Sequence, residues 1–342
     1  MMKIIFLLAA VLSTLGCQAQ RMVDERPRVL ISTDIGGTDP DDNQSMIHLM
    51  MYSDLFQLEG LVSSPSFGNG SKQEILRMID LYAKDYPQLK KHTPRLMSPK
   101  ALRKLCKQGR HGLMPYKGYA EPTEGSQWII RCARKESSQP LWVLVWGTLE
   151  DVAQALHDAP DIASKIRVYW IDGPNNPTGE SWGGSFALIR HSSRRVFHRQ
   201  TSERDTVPVY SVVEWYFQGP VKTDITEDSV CLTATIDKQQ WAGYYLGNGT
   251  YVLRYSPKAP ARLTYSVRSQ IAELNGLSGW FIVDDVWPGK ADAADYPLGA
   301  NWYSDRPERE FYEGKWQGAK TLRRWRQAIL EDWAMRWEWL KK

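Results

Sequence analysis

From Arg28 to Ile171, short apolar runs alternate with stretches whose apolar residues recur every three or four positions. Arg28-Val29-Leu30-Ile31-Ser32 reads as a buried strand, and Asp42 to Ser53 places Met46, Leu49, Met50 and Ser53 on one helical face. Leu58 to Ser63 predicts a second strand, and a helix follows from about Lys72 to Lys84. Tyr86 to Thr123, rich in Pro, Lys and Gly, predicts loop with one short helix near Lys100 to Gln108. Gly125 to Lys135 reads as helix, Leu141 to Trp146 as strand, Glu150 to His157 as helix and Ile166 to Ile171 as strand. Strands that are continuously apolar and joined by helices predict a parallel sheet covered on both faces.

After Asp172 the texture changes. A Gly/Pro/Asn-rich loop, Gly173-Pro174-Asn175-Asn176-Pro177-Thr178-Gly179, leads into short segments of alternating character. Thr250 to Tyr255, Arg262 to Val267 and Trp280 to Val283 read as strands, with turn chemistry at Gly247-Asn248-Gly249 and Asn275-Gly276. This half predicts a sandwich-like β module. Near the end, Leu322, Trp325, Ile329, Trp333, Trp337 and Leu340 recur at helical spacing, predicting a terminal amphipathic helix whose Trp face docks on the body. The expected organisation is therefore a signal peptide over 1–19, a shortened α/β domain over 26–200, a β-rich module over 201–295 and a C-terminal segment over 296–342.

Composition narrows the classes. With 342 residues, 42% of them hydrophobic and 24% charged, the chain can bury a full core. Its 43 basic and 39 acidic side chains leave +4, spread in short runs with no basic arm, so nucleic acid is not an expected partner. Met1 to Ala19 holds Lys3, then the apolar run Ile4 to Leu12, then small residues, the pattern of a secretory signal. Cleavage after Ala19 competes with a lipobox reading of Leu15-Gly16-Cys17, which would place a lipid anchor at Cys17. No second apolar stretch reaches membrane length, and a periplasmic, secreted or outer-membrane-anchored location is expected. Cys106, Cys132 and Cys231 lack the spacing of a zinc site or redox pair and read as buried thiols.

The chemistry concentrates in Val29-Leu30-Ile31-Ser32-Thr33-Asp34-Ile35-Gly36-Gly37-Thr38-Asp39-Pro40-Asp41-Asp42. A strand ends in an Asp, a Gly-containing turn follows, and two adjacent Asp open the next helix. Such a turn lies at the carboxyl ends of the strands, where open α/β sheets bind ligands. Asp41 or Asp42 alone could serve the helix dipole, but Asp34, Asp39, Asp41 and Asp42 together point to a hard cation or a polyol. Ca²⁺ suits irregular oxygen cages better than Zn²⁺, for which local His and Cys are absent.

This turn, together with Leu58-Glu59-Gly60-Leu61-Val62 and Trp146-Gly147-Thr148-Leu149-Glu150-Asp151-Val152-Ala153, resembles the nucleoside hydrolase superfamily, and most closely its secreted bacterial nucleoside-hydrolase-like branch. The resemblance implies hydrolysis of an N-glycosidic bond at a Ca²⁺ ion. It implies Asp34 as a Ca²⁺ ligand and acceptor of the water proton, Asp41 as a contact to ribose hydroxyls, and Asp42 as a bidentate Ca²⁺ ligand. Glu150 would offer the ion its backbone carbonyl, and Asn175 is the candidate among the family's substrate-binding Asn residues. The branch also matches Glu180 to Gly184 and the segment from Tyr296 onward.

Departures accompany the match. Ser32 stands where members of the superfamily begin the turn with another Asp, and six residues separate Asp34 from Asp41. The stretch that normally follows the strand ending at Ile171, with the late Asp that completes the Ca²⁺ cage, is expected to be missing, leaving Asp172 as a substitute ligand. His191 and His198 read as surface or structural residues, and no leaving-group acid is identifiable. The expected function is a secreted Ca²⁺-dependent N-glycosyl hydrolase acting on a nucleoside or related ribosyl compound, impaired if the cage is incomplete. The alternative is a carbohydrate-binding protein that holds a sugar without cleaving it, with Trp182, Trp241, Trp287 and Trp302 as stacking candidates. A small nucleoside or sugar is the expected partner, and a homo-oligomer is allowed.

Overall fold

The computed structural model describes residues 24–37, 40–64, 71–112, 115–170, 194–197, 206–208, 212–226, 229–255, 257, 259–285, 308–314 and 319–341. The predicted signal segment with Cys17, and Asp39, Asp172, Asn175, Glu180 to Gly184, Trp182, His191, His198, Trp287, Tyr296 and Trp302, lie outside them.

The first half alternates strands and helices: β1 (Arg28–Thr33), α1 (Asp41–Met51), β2 (Gln57–Ser63), α2 (Lys72–Leu89), α3 (Pro99–Leu105), β3 (Cys106–Gln108), α4 (Glu124–Ala133), β4 (Leu141–Val145), α5 (Glu150–Asp158) and β5 (Ile166–Trp170). The five strands pair in parallel in the order β3-β2-β1-β4-β5. Side-chain alternation sorts the core onto two faces. Val29, Ile31 and Leu61 face α1, α2 and α3, where Met46, Met50, Ile75, Ile79 and Leu102 are buried. Leu30, Val62, Val143 and Val145 face α4 and α5, meeting Ile129, Val152 and Leu156. The central strands β1 and β2 are buried on both sides because each side has a helical layer over it, as the continuous apolar runs predicted.

Two elements differ from expectation. The second helix runs past Lys84 to Leu89, through Pro87, because Leu89 is itself buried in the core and the last turn is worth keeping. The short helix near Lys100 gives way at Cys106 to an edge strand, whose three residues pair with Leu61 to Ser63.

The second half forms one eight-stranded sheet, ordered β6-β8-β11-β10-β9-β12-β13-β7. Its strands are β6 (Arg194–Phe197), β7 (Thr206–Pro208), β8 (Val212–Gln218), β9 (Val230–Ile236), β10 (Gln239–Tyr245), β11 (Thr250–Tyr255), β12 (Ala261–Ser269) and β13 (Ser278–Asp285). All pairings are antiparallel except β6 with β8 and β13 with β7. This sheet already recruits β6, which precedes residue 200. The sheet curls upon itself. Four strand steps separate β8 from β12, roughly 19 Å in a flat sheet, yet the rings of Trp215 and Tyr265 are 5.3 Å apart. Trp215 also meets Phe281 of β13 edge-on at 5.3 Å. The aromatic residues inside this curl are core. Trp241 is one of them, packed edge-on against Tyr255 at 5.2 Å, so it is a core residue and not a stacking platform for sugars.

The two halves meet at Tyr116, in the β3–α4 connection. Its hydroxyl donates to the buried Glu214 carboxylate at 2.9 Å, while Arg254 pairs with Glu214 at 2.7 Å and lies over the Tyr116 ring.

The C-terminal segment contributes α6 (Lys320–Arg323) and α7 (Arg326–Glu338). Helix α7 docks on α1 by part of the predicted stripe, with Trp333 and Leu340 packed toward the core and Arg336 and Trp339 joining them. Trp333 stacks on His48 at 4.2 Å, Trp339 stacks on His92 at 5.2 Å, and the Arg336 guanidinium is buried against Asp54 and the Met51 carbonyl. Trp325, Ile329 and Trp337 face outward, at 55%, 50% and 42% exposure. The buried Arg336 guanidinium, with two acceptors, fastens the same face of the helix as Trp333 and Trp339. Among the described residues no helix is long and apolar enough to cross a membrane. Cys106 and Cys132 are buried free thiols, and Cys231 is a half-buried one; burial raises Cys106 to about 12 and the other two to about 11.

Candidate functional site

Strand order locates the crevice. The chain leaves β1 toward β2 on one side, whereas β4 leads outward to β5 on the other, so the connections after β1 and β4 diverge. A ligand site is expected at the carboxyl ends of these two strands. Asp34 follows β1 directly, and Gly147 lies two residues beyond β4. A Cβ built on Gly147 would fall 2.5 Å from Asp34 Cγ, so only glycine lets the Asp34 side chain lie across the crevice floor.

The turn after β1 is tightly specified. The Gly37 N–H donates to the Asp34 carbonyl at 2.9 Å, and Gly36 takes φ +88°, a left-handed conformation that suits glycine. Ile35 is fully buried, which pins the turn to the core, and its N–H donates to Thr33 Oγ1 at 3.1 Å. Asp41 and Asp42 then open α1. No side chain caps that helix, and Asp41 Oδ1 instead accepts the Asp42 N–H at 2.9 Å. Both carboxylates sit where the helix dipole favours negative charge.

The two predicted ligands meet. Asp42 is buried, at 4% exposure, and its carboxyl is hydrogen-bonded by the Thr33 hydroxyl and by Asp34. Burial pushes the Asp42 carboxyl up to about 8; the Thr33 hydroxyl pulls it down, while the hydrogen bond and charge of Asp34 and the charge of Asp41 raise it further. Two carboxylates this close either share a proton, so that only one is ionised, or are both ionised with a cation between them. Asp34 remains half-buried and Asp41 exposed, so both are reachable from the crevice.

Glu150 stands in the first turn of α5, three residues beyond Gly147, and is 2% exposed. Its side chain does not join the other two: among the described residues no three His, Cys, Asp or Glu side chains form a group able to hold a metal ion. Hard oxygen donors suit Ca²⁺ in kind. The described side chains supply two carboxylates.

Three residues absent from the expected site shape it. Thr33 holds Asp42, and Gly147 makes room for Asp34. Asp151, fully buried next to Glu150, accepts from the Thr123 hydroxyl and from the Arg110 N–H at 3.0 Å, tying the start of α4 to the rim beyond β3. Burial raises the Asp151 carboxyl above the usual range, with Thr123 and Ser64 opposing. The signals were present in the sequence, since Thr33 directly precedes Asp34 and Gly147 stands in the Trp146-Gly147-Thr148 run, but neither is a titratable residue that draws attention.

No curated protein matches the chain. Among solved structures, a nucleoside hydrolase-related protein from Saccharophagus degradans, associated with carbohydrate metabolism, is 13% identical over 76% of this chain and 100% of its own, with a TM-score of 0.39. An inosine-uridine preferring nucleoside hydrolase from Bacillus anthracis is 15% identical over 50% of this chain and 64% of its own, with a TM-score of 0.27. A glycoside hydrolase candidate from Bacteroides vulgatus is 28% identical over 24% of this chain and 16% of its own, with a TM-score of 0.21. The chain thus spans less than two thirds of the last two proteins. The family described as cellulose-binding Sde182, nucleoside hydrolase-like domain, matches residues 28–243, more than half of the sequence and all of the parallel sheet. The chain belongs to this nucleoside-hydrolase-like family.

Proposed function

We propose that the protein is an N-glycosyl hydrolase acting on a nucleoside or related ribosyl compound, with a Ca²⁺ ion held by Asp34 and Asp42. The observation that carries this reading is the meeting of these two carboxyls at the divergence of β1 and β4, in a geometry that calls for a cation or a proton between them. Ca²⁺, when bound, would position a water molecule and lower its pKa. Asp34, half-buried and facing the crevice, accepts the water proton. Asp41, exposed at the start of α1, receives the ribose hydroxyls. The carboxylates beside the ring favour the positive charge that develops as the glycosyl bond breaks. Asn175 would add a substrate contact, and the Glu150 carbonyl a further oxygen for the ion. The sequence features of a secretory signal support an exported protein.

A second reading has its own support. Two converging side-chain carboxylates make a sparse cage, and the family description names cellulose binding. On this reading the crevice holds a sugar without cleaving it. Release of free base from a ribonucleoside panel, with Ca²⁺ and with a chelator, separates the two. Ca²⁺-dependent release that Asp34→Ala abolishes supports the hydrolase. Retention on cellulose or oligosaccharide resins without base release, with or without Ca²⁺, supports the binding protein.

A further inference from the structure

We propose that Thr33 is the positioning residue that aims the Asp42 carboxylate at Asp34, so that the pair can share one cation. This rests on the reading of Asp34 and Asp42 as ligands and adds a residue to it. Thr33 is the last residue of β1 and is fully buried, as Asp42 nearly is. A hydroxyl has one proton to give and two lone pairs to receive with. One lone pair takes the Ile35 N–H at 3.1 Å, an arrangement imposed by the turn itself. The proton is therefore directed to Asp42 Oδ2. The direction of the bond matters: Thr33 is a donor to Asp42 and holds one oxygen of that carboxyl in place. The Asp42 backbone N–H is spent on Asp41, so Thr33 is the side chain within β1 that fixes the orientation of the buried carboxyl.

The anchor is rigid. Thr33 is β-branched at the end of a central strand; its own carbonyl accepts the Ser64 N–H at 2.7 Å, and that of the preceding Ser32 accepts the Trp146 N–H at 2.8 Å beyond β4. Asp42 lies on the first turn of α1, whose Met46 and Met50 are fixed in the core. Strand and helix are thus stitched together across the turn that carries Asp34. Valine at position 33 keeps the branched shape and removes both hydrogen bonds, whereas serine keeps both bonds and removes a methyl group.

The test compares wild type, Thr33→Val and Thr33→Ser in the full chain, with Ca²⁺ affinity read by competition with a chromogenic chelator and the metal-free Asp42 position read by crystallography. Thr33→Val is expected to weaken Ca²⁺ binding at least tenfold and to let the Asp42 carboxyl turn away from Asp34. Thr33→Ser is expected to stay within threefold of wild type, with Asp42 in place. Should Thr33→Val fail to fold, Thr33→Ala carries the same comparison. Wild-type affinity in Thr33→Val, or an unmoved Asp42, overturns the proposal. If wild type takes up no Ca²⁺, the ion-binding reading falls, and the Asp42 position in the metal-free variants still decides the role of Thr33.

Discussion

Asp42 and Gly147 carry the sharpest consequences of a single side chain. With its pKa raised to about 8 against an ordinary value of 3.8, Asp42 holds a proton in the folded protein that the unfolded chain releases across that interval. The folded state therefore binds more protons, and metal-free stability falls as pH rises through the window, by at most about 1.4 kcal/mol per pH unit. Asp42→Asn should flatten that slope, and saturating Ca²⁺ should raise wild-type stability most at pH 8; chemical denaturation between pH 4.5 and 8 measures both. A slope shared by wild type and Asp42→Asn contradicts the assignment. Gly147→Ala tests the crevice from the other side. The new Cβ would displace Asp34, so Ca²⁺ affinity should drop about tenfold, roughly 1.4 kcal/mol, while the melting temperature moves little because Asp34 is half exposed. An unchanged affinity would show that Asp34 does not need that position.

Elements are held at the opposite end of the sheet by a charged cluster. Arg28 of β1 gives Nε to Glu59 of β2 at 2.7 Å and Nη2 to the Cys132 carbonyl of α4 at 2.8 Å, and Lys135 reaches the same carboxylate at 2.9 Å. Burial raises the Glu59 pKa, but Arg28 and Lys135 more than offset it, and the net shift is downward. A depressed carboxylate stabilises the fold above its unfolded value, 4.5, and loses that contribution as pH falls through the folded one. Glu59→Gln should cost roughly 3 kcal/mol at pH 7, with the gap to wild type closing in acid, as urea titrations at several pH values would reveal. Helix α7 obeys a different rule. His48 is lowered by burial and by Arg336, with Asp332 opposing, so protonation disfavours the stack with Trp333. Amide protection factors in 326–338, taken relative to the intrinsic exchange rate at each pH, should therefore fall below pH 6.5, and Arg336→Ala should lower them at every pH. Protection that is independent of both would place the anchor elsewhere. The docked face was legible from periodicity at Trp333 and Leu340 but not at Arg336, whose two acceptors at Met51 and Asp54 lie nearly three hundred residues away in sequence.

For the whole molecule, the parallel sheet was legible because burial on both faces writes uninterrupted apolar runs, as in Val29 to Ile31; Leu141 to Val145 is equally apolar although Trp142 faces outward. The curl of the second sheet was less legible. Alternation along Arg262 to Val267 reveals which side is buried, not that β8 folds over to meet β12. The acidic turn marked a candidate site, and the structure brings the Asp34 and Asp42 side chains together there. Thr33, Gly147 and Asp151 escaped because their roles depend on partners brought in by other strands and helices, information that spacing within one motif does not contain. Strand order supplied the missing step, since the divergence of β1 and β4 puts Gly147 beneath Asp34.

The central claim is that this carboxyl pair exists to hold a divalent ion, and calorimetric titration of Ca²⁺ into the protein at pH 8 tests it most directly. Wild type should show saturable binding at one site, weakened at least tenfold by Asp34→Asn and by Asp42→Asn. Absence of binding to wild type, or equal binding by both variants, would contradict it.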